Sequence, residues 1–388
     1  MLPAASTPTL SPPAEPGWAL VHELLPDHPA AASSLAEIGA LLLYYQRVAQ
    51  VSGQPADAQR ARAWLTGLSA RLLPLPATAG PPTYADQACL LAWLDAEGGL
   101  SVGPALLREF DERLQHAALR ELAEANPAWQ DFFFQVLRYF SLRVPTPIVQ
   151  LRLQVLLDSW PYLRTSAARG AGPLPGRVGQ LPVLIRLAQA GYQVDQLTHC
   201  IREGLRQLLA TRRDVDFLGQ SYSIFPDEHR AAGESAFSAE LSWRRIDLAH
   251  ALLLYQAHDL LQDPELAKFA ELTALHTLLR TPDLATRPDA EPLYPAAAAL
   301  ARLYRQLRRL SNYPAYLEGY EFWLAQTRQW VLAAQTANAG RPAKAGQAQG
   351  LAEAGLVLLA ASTPTEPAWE PSLPEFGQAP PARPWPGC

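Results

Sequence analysis

The chain has 388 residues, of which 49% are hydrophobic and 18% charged, and its formal net charge is −5. This balance excludes a basic nucleic-acid-binding surface and an acidic tail, and no apolar run reaches the roughly 18 residues that a membrane-spanning helix needs. Cys89, Cys200 and Cys388 form neither a disulfide framework nor a CxxC pair. Because no apolar leader follows a basic start, we expect a cytoplasmic protein without nucleic acid or a membrane span.

The two ends of the chain differ from its middle. Residues 1–29 read as a proline-rich N-terminal tail and lead-in, and residues 371–388 as a proline-rich C-terminal tail. Between them, apolar residues recur at the spacing of an α-helix and almost nowhere with the alternation of a strand. We therefore expect a single all-α domain over residues 30–370.

A unit of about 50 residues repeats along this domain: an apolar helix, a tight turn and an amphipathic helix. The apolar helices are expected to begin near residues 36, 86, 134, 180, 246, 296 and 352, with a longer insertion around 205–240. Because the apolar helices stay apolar from first to last, the pattern favours an α/α toroid of about seven helix pairs, with an open superhelix as the alternative. The predicted turns are Gly53-Gln54-Pro55, Glu97-Gly98-Gly99, Ala190-Gly191-Tyr192, Gln262-Asp263-Pro264 and Asn312-Tyr313-Pro314.

The segment from Pro264 to Arg280 is a clear example of an amphipathic helix. Asp263 is expected to cap its free backbone N–H groups, and Pro264 suits the first helical position, where no N–H partner is needed. Its apolar face is expected to comprise Leu266, Phe269, Leu272, Leu275 and Leu279.

The centre of an α/α toroid commonly holds either a metal bound by Cys and His or two carboxylates on opposite sides of a sugar. Cys89 and His276 lie within apolar segments, where a small hydrophobe and a core histidine are expected. His199 and Cys200 are adjacent, so their side chains point about 100° apart on a helix and do not favour a shared metal. The residues alone therefore predict no zinc site.

Acidic residues stand near the expected starts of several apolar helices. The helix dipole favours negative charge there, so most of them are expected to act as caps. A sugar-processing pair stays open, because the sequence gives no distance between two carboxylates. The acidic residues are Asp86, Asp131, Glu240, Asp247 and Glu291.

Several stretches in the second half of the chain carry a family resemblance. Leu241–Ala249 reads Leu-Ser-Trp-Arg-Arg-Ile-Asp-Leu-Ala, residues 350–356 read Gly-Leu-Ala-Glu-Ala-Gly-Leu, and residues 365–369 read Thr-Glu-Pro-Ala-Trp. They resemble segments of the lanthionine synthetase C family, the cyclases of lanthipeptide biosynthesis, in which the first stretch is Leu-Ala-Trp-Cys-Tyr-Gly-Asp-Leu-Gly. The resemblance covers roughly residues 30–370 and rests on the order and spacing of many short matches.

The resemblance implies an α/α toroid whose central zinc is held by the Cys of the Trp-Cys motif and by the Cys and His of a Cys-His-Gly motif. Here those positions carry Arg244, Ala290 and Glu291. Arginine cannot ligate the ion, and a catalytic zinc needs three protein ligands, so we expect no zinc and no other cofactor. The family-equivalent cavity positions are Asp131, Pro175, Trp243, Arg244, Arg245, Asp247, Ala290 and Glu291.

Three functions follow as hypotheses. The preferred one is a non-catalytic family member, a pseudoenzyme that binds a lanthipeptide precursor peptide or a dehydratase or cyclase partner. The second is a metal-free enzyme, in which Arg244 and Arg245 bind an anion or stabilise a thiolate while Asp131 or Asp247 carries a proton; the same arginines could simply pair with acidic neighbours. The third is a sugar-processing toroid with carboxylates about 5–10 Å apart.

Overall fold

A computed structural model of the chain describes residues 17–32, 34–74, 81–98, 100–124, 129–159, 177–215, 223–226, 228–229, 235–236, 247–279, 294–338, 343 and 347–363. The expected C-terminal tail, residues 371–388, lies outside these ranges, as do residues 1–16 of the expected N-terminal tail.

The described residues form fourteen α-helices, and the all-α prediction is confirmed for them. A 3-10 helix at Pro29–Ala31 and the antiparallel pair β1 (Glu228–His229) and β2 (Ser235–Ala236) are the other regular elements there. In this part of the chain, no helix is both long and apolar enough to cross a membrane. The helices are α1 (Gly17–Leu24), α2 (Leu35–Ser52), α3 (Pro55–Leu72), α4 (Pro81–Glu97), α5 (Pro104–Glu124), α6 (Trp129–Leu142), α7 (Pro147–Asp158), α8 (Arg177–Gln189), α9 (Val194–Ala210), α10 (Asp247–Leu261), α11 (Pro264–Leu278), α12 (Tyr294–Ser311), α13 (Ala315–Asn338) and α14 (Ala348–Ser362).

Each of the five predicted turns contains a residue with left-handed backbone. Gly53, Gly98 and Gly191 have φ of +66°, +70° and +88°, while Gln262 and Asn312 have φ of +54° and +56°. A left-handed residue ends a helix and reverses the chain within a few residues. The predicted turns are therefore confirmed, and each joins an apolar helix to the amphipathic helix that follows it.

The even-numbered helices, called core helices from here on, are buried on nearly every side. In α2 the twelve residues from Glu37 to Val48 are buried without interruption, and in α10 so are the nine residues from Asp247 to Tyr255. The odd-numbered flanking helices bury a single face, as α9 does with its buried residues Leu197, Ile201, Leu205 and Leu208. A helix that is apolar all round must be covered by neighbours on all sides.

Each core helix packs against the next one along the chain, from α2 through α4, α6, α8, α10 and α12 to α14, and α14 also packs against α2. The flanking helices α3, α5, α7, α9, α11 and α13 each pack on the core helix that precedes them. The N-terminal helix α1 packs on α14 and α13, and its Val21 and Leu24 belong to the main core. The lead-in before residue 30 thus contributes a helix to the core.

The junction of α1, α2 and α14 requires a glycine. A Cβ on Gly355 would lie 2.5 Å from Tyr44 Cε2 and 2.8 Å from Val21 Cγ1. Hydroxyls of α2 hold the lead-in from the same side: Tyr44 donates to the carbonyl of Trp18 at 3.0 Å and Tyr45 to that of Pro26 at 3.1 Å.

The apolar face predicted for α11 is wrong at Leu272 and Leu279, which are 63% and 61% exposed. Leu266 is buried as expected, and the Asp263 carboxylate caps the helix by accepting the Glu265 N–H at 3.0 Å. Apart from Leu266 and the buried His276, the fully buried residues of α11 are small, while Phe269 and Leu275 pack partly against the core and these two leucines stay outside. These small buried residues are Ala270, Thr273, Ala274 and Thr277.

His22 of α1 meets a charged pair of α3. Arg60 Nη1 lies 2.9 Å from His22 Nε2, and since a guanidinium only donates, Nε2 accepts and the imidazole is neutral. Asp57, 3.5 Å from the same nitrogen, is held by Arg60 at 3.1 Å and by Ser52 at 2.9 Å. Burial lowers the pKa of His22 below its ordinary 6.5, although the Asp57 charge opposes this.

The substitution Gly355→Ala should lower the free energy of unfolding by about 1–3 kcal/mol, because the added methyl overpacks the junction. In an open helix the same change would stabilise. Gly103, whose added Cβ would meet nothing within 4 Å, provides the control: Gly103→Ala should stay within about 0.5 kcal/mol of the wild type. Urea denaturation of the three proteins measures this, and equal stability of the two variants would contradict the close approach at Gly355.

Stability should fall as the pH drops through 6.5, because His22 binds its proton more readily in the unfolded chain than in the fold. The loss begins near the ordinary pKa and continues down to the lower pKa of the folded state. Urea midpoints between about pH 7.5 and about pH 5 should therefore decline more steeply for the wild type than for His22→Gln. The exposed His199 provides the control, and the His199→Gln variant should show the same pH dependence as the wild type. Parallel curves for all three proteins would refute the assignment of this pH dependence to His22.

Candidate functional site

Asp247 is the only family-equivalent position whose side chain is among those described. Asp131 lies in the first turn of α6, but its side chain is not among those that the structure describes. Positions Pro175, Trp243, Arg244, Arg245, Ala290 and Glu291 lie outside the described residues altogether. The site is therefore built from Asp247 and the described side chains of the core helices.

Asp247 is the first residue of α10 and is 1% exposed. Its Oδ2 accepts the backbone N–H of Ile224 at 3.1 Å, and its Oδ1 accepts that of Phe225 at 3.0 Å. The positive end of the helix dipole favours a carboxylate at this place. Both carboxylate oxygens thus hold a backbone segment more than twenty residues earlier in the chain.

Residues 223–226 are fixed from two further directions. The His250 imidazole, one turn along α10, stacks on Phe225 with ring centroids 4.3 Å apart and planes 11° from parallel. Arg213 donates from Nε to the carbonyl of Ser223 at 2.9 Å and from its backbone N–H to that of Ile224 at 3.0 Å. Ser223 Oγ donates to the carbonyl of Phe225 at 2.7 Å. These contacts fix residues 223–226 against the first turn of α10.

A second group of polar side chains joins three consecutive core helices. Asp86 and Cys89 lie on α4, Arg138 on α6 and Arg186 on α8, and the charges of Asp86, Arg138 and Arg186 all act on the Cys89 thiol. We call these four residues the Cys89 cluster. Asp86, Arg138 and Arg186 are half-buried in otherwise buried stretches of their helices, so the cluster marks the less covered side of the core helices.

Cys89 is a core thiol and not a nucleophile. It is 4% exposed, and its Sγ donates to the carbonyl of Gln135 across the α4–α6 contact at 3.7 Å. Burial raises the pKa of Cys89 to about 12, so the thiol stays protonated near neutral pH, whereas nucleophilic attack requires the thiolate. The expectation of a core role for Cys89 is confirmed.

Arg186 of the Cys89 cluster is held by the end of α6. Its Nη2 donates to the carbonyl of Ser141 in the last turn of α6 at 3.3 Å, and no carboxylate of the described residues forms an ion pair with it. Burial, followed by the neighbouring Arg138, lowers the pKa of Arg186 to about 9. The guanidinium remains charged at neutral pH and keeps N–H groups available to an anionic partner.

The donor set does not fit the zinc that the resemblance implies. Of the three ligand positions, Arg244 and Ala290 supply no ligand atom, which leaves Glu291. Among the side chains that the structure describes, no group of three or more His, Cys, Asp or Glu residues could hold a metal ion. His199 and Cys200 stand on α9, exposed and half-buried respectively.

The chain matches no family model, no curated protein and no solved structure. The resemblance to lanthionine synthetase C therefore remains a prediction from the residues that carry it. The geometry adds something that sequence reasoning missed, namely that Asp247 binds residues 223–226. Only the longer insertion around 205–240 pointed toward it.

The substitution Asp247→Asn should lower the free energy of unfolding by about 2 kcal/mol, because the amide nitrogen cannot accept one of the two backbone N–H groups. Asp259, exposed on the same helix, gives the matched control, and Asp259→Asn should change stability by less than about 0.5 kcal/mol. Chemical denaturation measures both values. An Asp247→Asn protein as stable as the wild type would remove the anchoring role from this carboxylate.

Proposed function

We propose that the chain is a lanthionine synthetase C-like protein of lanthipeptide biosynthesis that works in the cytoplasm without zinc and without catalysing cyclisation. It binds a precursor peptide, or a dehydratase or cyclase that acts on that peptide. The observation that carries the non-catalytic part is the chemistry of the expected zinc-ligand positions, since Arg244 and Ala290 supply no ligand atom. The buried Asp247 carboxylate, which already accepts two backbone N–H groups, is poorly placed as a general base, because a general base must reach the proton that it removes.

The proposal includes an α/α toroid of seven helix pairs. It is supported by the packing of α14 against α2, which joins the last core helix to the first. It is also supported by α1, which packs on α14 and so provides the seventh flanking helix. In an open superhelix the first and last core helices would instead each have one uncovered side.

Two observations favour the pseudoenzyme, the first over zinc-dependent cyclisation and the second over the metal-free enzyme. Cyclisation requires a thiolate on the peptide, and the zinc that would lower the thiol pKa lacks two of its three ligand positions here. Of the two acids proposed as proton carriers, Asp247 is 1% exposed, and the side chain of Asp131 is not among those described. No observation on the described residues favours the sugar-processing alternative.

The Cys89 cluster gives a bound peptide a point of attachment. Arg186 presents a guanidinium held to the carbonyl of Ser141, and the planar guanidinium matches the geometry of a carboxylate. An acidic side chain or a C-terminal carboxylate is therefore the group of the peptide that fits this surface.

The test uses untagged protein and the Ser/Thr/Cys-rich peptide encoded beside its gene, prepared in its dehydrated form. After incubation with zinc, elemental mass spectrometry should find less than about a tenth of an equivalent of metal, since a catalytic zinc site needs three ligands. The peptide should bind in fluorescence anisotropy, and mass spectrometry with thiol titration should find no thioether beyond the buffer control. Near one equivalent of zinc, or thioether formation that depends on the protein, would refute the non-catalytic proposal.

Peptide binding is tested separately, with variants of Arg186 and Arg206. Arg186→Gln should weaken peptide binding by about tenfold, the effect of one charge-assisted contact. Arg206, whose side chain is 75% exposed on α9, supplies the control, and Arg206→Gln should bind as the wild type does. The absence of a suitable peptide gene nearby, or of any binding by that peptide, would contradict the assignment to lanthipeptide biosynthesis.

A further inference from the structure

The N-terminal helix α1 lies across the seam between the first and the last core helix. It packs on α13 and α14, where Val21 and Leu24 are 0% and 1% exposed and the backbone N–H of Ala343 donates to the carbonyl of Leu24 at 2.8 Å. On the α2 side, the Tyr44 hydroxyl donates to the carbonyl of Trp18 at 3.0 Å. Helix α1 is therefore held mainly by residues from the far end of the chain.

The segment that follows α1 is attached elsewhere, to α2 and α3. The Tyr45 hydroxyl donates to the carbonyl of Pro26 at 3.1 Å, and Arg71 of α3 donates to carbonyls at the two ends of the 3-10 helix at 3.1 and 3.3 Å. None of these contacts involves α1. Residues 26–32 can therefore keep their position while α1 moves as a unit about the backbone near Leu25.

His22 forms a polar contact between α1 and α3. Its side chain is 25% exposed, and its ring meets the Tyr45 ring edge-on, with centroids 5.5 Å apart. Nε2 accepts from Arg60 at 2.9 Å, so the single proton of the neutral ring is on Nδ1. Nδ1 is buried and has no hydrogen-bond partner among the described residues. The surroundings of the docked helix therefore select one neutral form of His22.

A second proton on His22 would break this contact. It would lie on Nε2 and point at the guanidinium of Arg60, which only donates. The Asp57 carboxylate is 3.5 Å from Nε2, but it already accepts from Arg60 at 3.1 Å and from Ser52 at 2.9 Å. Burial outweighs the attraction of Asp57, so the pKa of His22 in the docked helix lies below its ordinary 6.5.

The other groups around His22 do not reverse this preference. The charges of Glu23, on α1, and Asp27, after it, raise the pKa of His22 less than burial lowers it, and the Asp27 side chain is 74% exposed. Burial raises the pKa values of Tyr44 and Tyr45, so both hydroxyls stay neutral. In an undocked helix His22 is open to water and regains its ordinary pKa. Acid therefore favours the undocked helix, starting near pH 6.5 and continuing down to the lower pKa of the docked state.

We propose that α1 is an acid-released strap: it is docked at neutral pH, and protonation of His22 detaches it while the core helices stay folded. The core helices keep their own contact without α1, because α14 packs directly on α2. Detachment uncovers Leu358, which lies against Gly17 of α1, and the glycine junction at Gly355. The strap thus makes access to an apolar seam depend on pH. The proposal does not depend on the lanthipeptide proposal.

Hydrogen exchange followed by mass spectrometry tests the strap in the wild-type chain. Amides of α1 should be at least about tenfold less protected than those of α2 between Leu41 and Val48, because a local opening needs less free energy than unfolding of the core. Urea below the unfolding transition should leave the protection of α1 unchanged while that of α2 falls, since detachment exposes little surface. Equal protection of both helices, or an equal response to urea, would mean that α1 leaves only when the whole chain unfolds, and would overturn the proposal.

The pH dependence of the exchange identifies the titrating group. Between about pH 7.5 and about pH 5, after correction for the intrinsic exchange rate, the protection of α1 should fall toward acid pH. The fall should be at most about tenfold per pH unit, because one proton is bound. In His22→Gln, whose new side chain does not titrate, the protection of α1 should be independent of pH. A constant protection in the wild type, or the wild-type pH dependence in His22→Gln, would contradict the proposal.

The substitution Val21→Ala gives a matched control on the same helix. It deletes two buried methyl groups and keeps His22, so the protection of α1 should be roughly tenfold lower at every pH, with the pH dependence of the wild type. The protection of α2 in the same experiment shows that each variant is folded. A Val21→Ala protein whose α1 is as protected as in the wild type would mean that these amides exchange without detachment, which would also refute the strap.

Discussion

The contact of α14 with α2 is the constraint on which the rest of the structure depends. Core helices that are apolar on nearly every side need neighbours on every side, and in a linear array the first and last would lack one. Here these two helices cover each other, and α1 covers their junction. Gly355 makes this possible, because any larger residue would meet Tyr44 and Val21. The N-terminal lead-in is thus part of the core.

Buried and half-buried arginines reinforce the contacts between consecutive core helices. Arg47 of α2 forms an ion pair with Glu97 of α4. Arg143, directly after α6, lies 3.7 Å from Asp95 of α4 and also pairs with Asp111 of the flanking helix α5 at 2.9 Å. Arg186 of α8 completes the series by donating to a carbonyl of α6. Burial lowers the pKa of Arg47 to about 10, against the opposing charge of Glu97. Since removing one partner of a buried pair leaves an uncompensated charge, these bridges favour one arrangement of the helices over others.

The sequence predicts local features of the fold. It does not predict features that depend on contacts between segments distant in the chain. The turns at Gly53 and Asn312 were predictable, because a left-handed residue and a following proline act within a few positions. The exposure of Leu272 was not, because apolar periodicity does not say whether leucines or small residues will face the neighbouring helix. The site shows the same limit: Asp247 was identified as an acid at a helix start, but its partners at Ile224 and Phe225 lie more than twenty residues away.

An acid at position 247 has a physical reason to be present whether or not a metal is bound nearby. Its carboxylate accepts two backbone N–H groups, that of Phe225 in buried and that of Ile224 in part-buried surroundings, and a buried donor without a partner costs about 1–3 kcal/mol. The anchoring of residues 223–226 therefore accounts for this acid without a catalytic role. Its presence does not argue for catalysis, and the proposed loss of cyclisation rests instead on the chemistry of positions 244, 290 and 291.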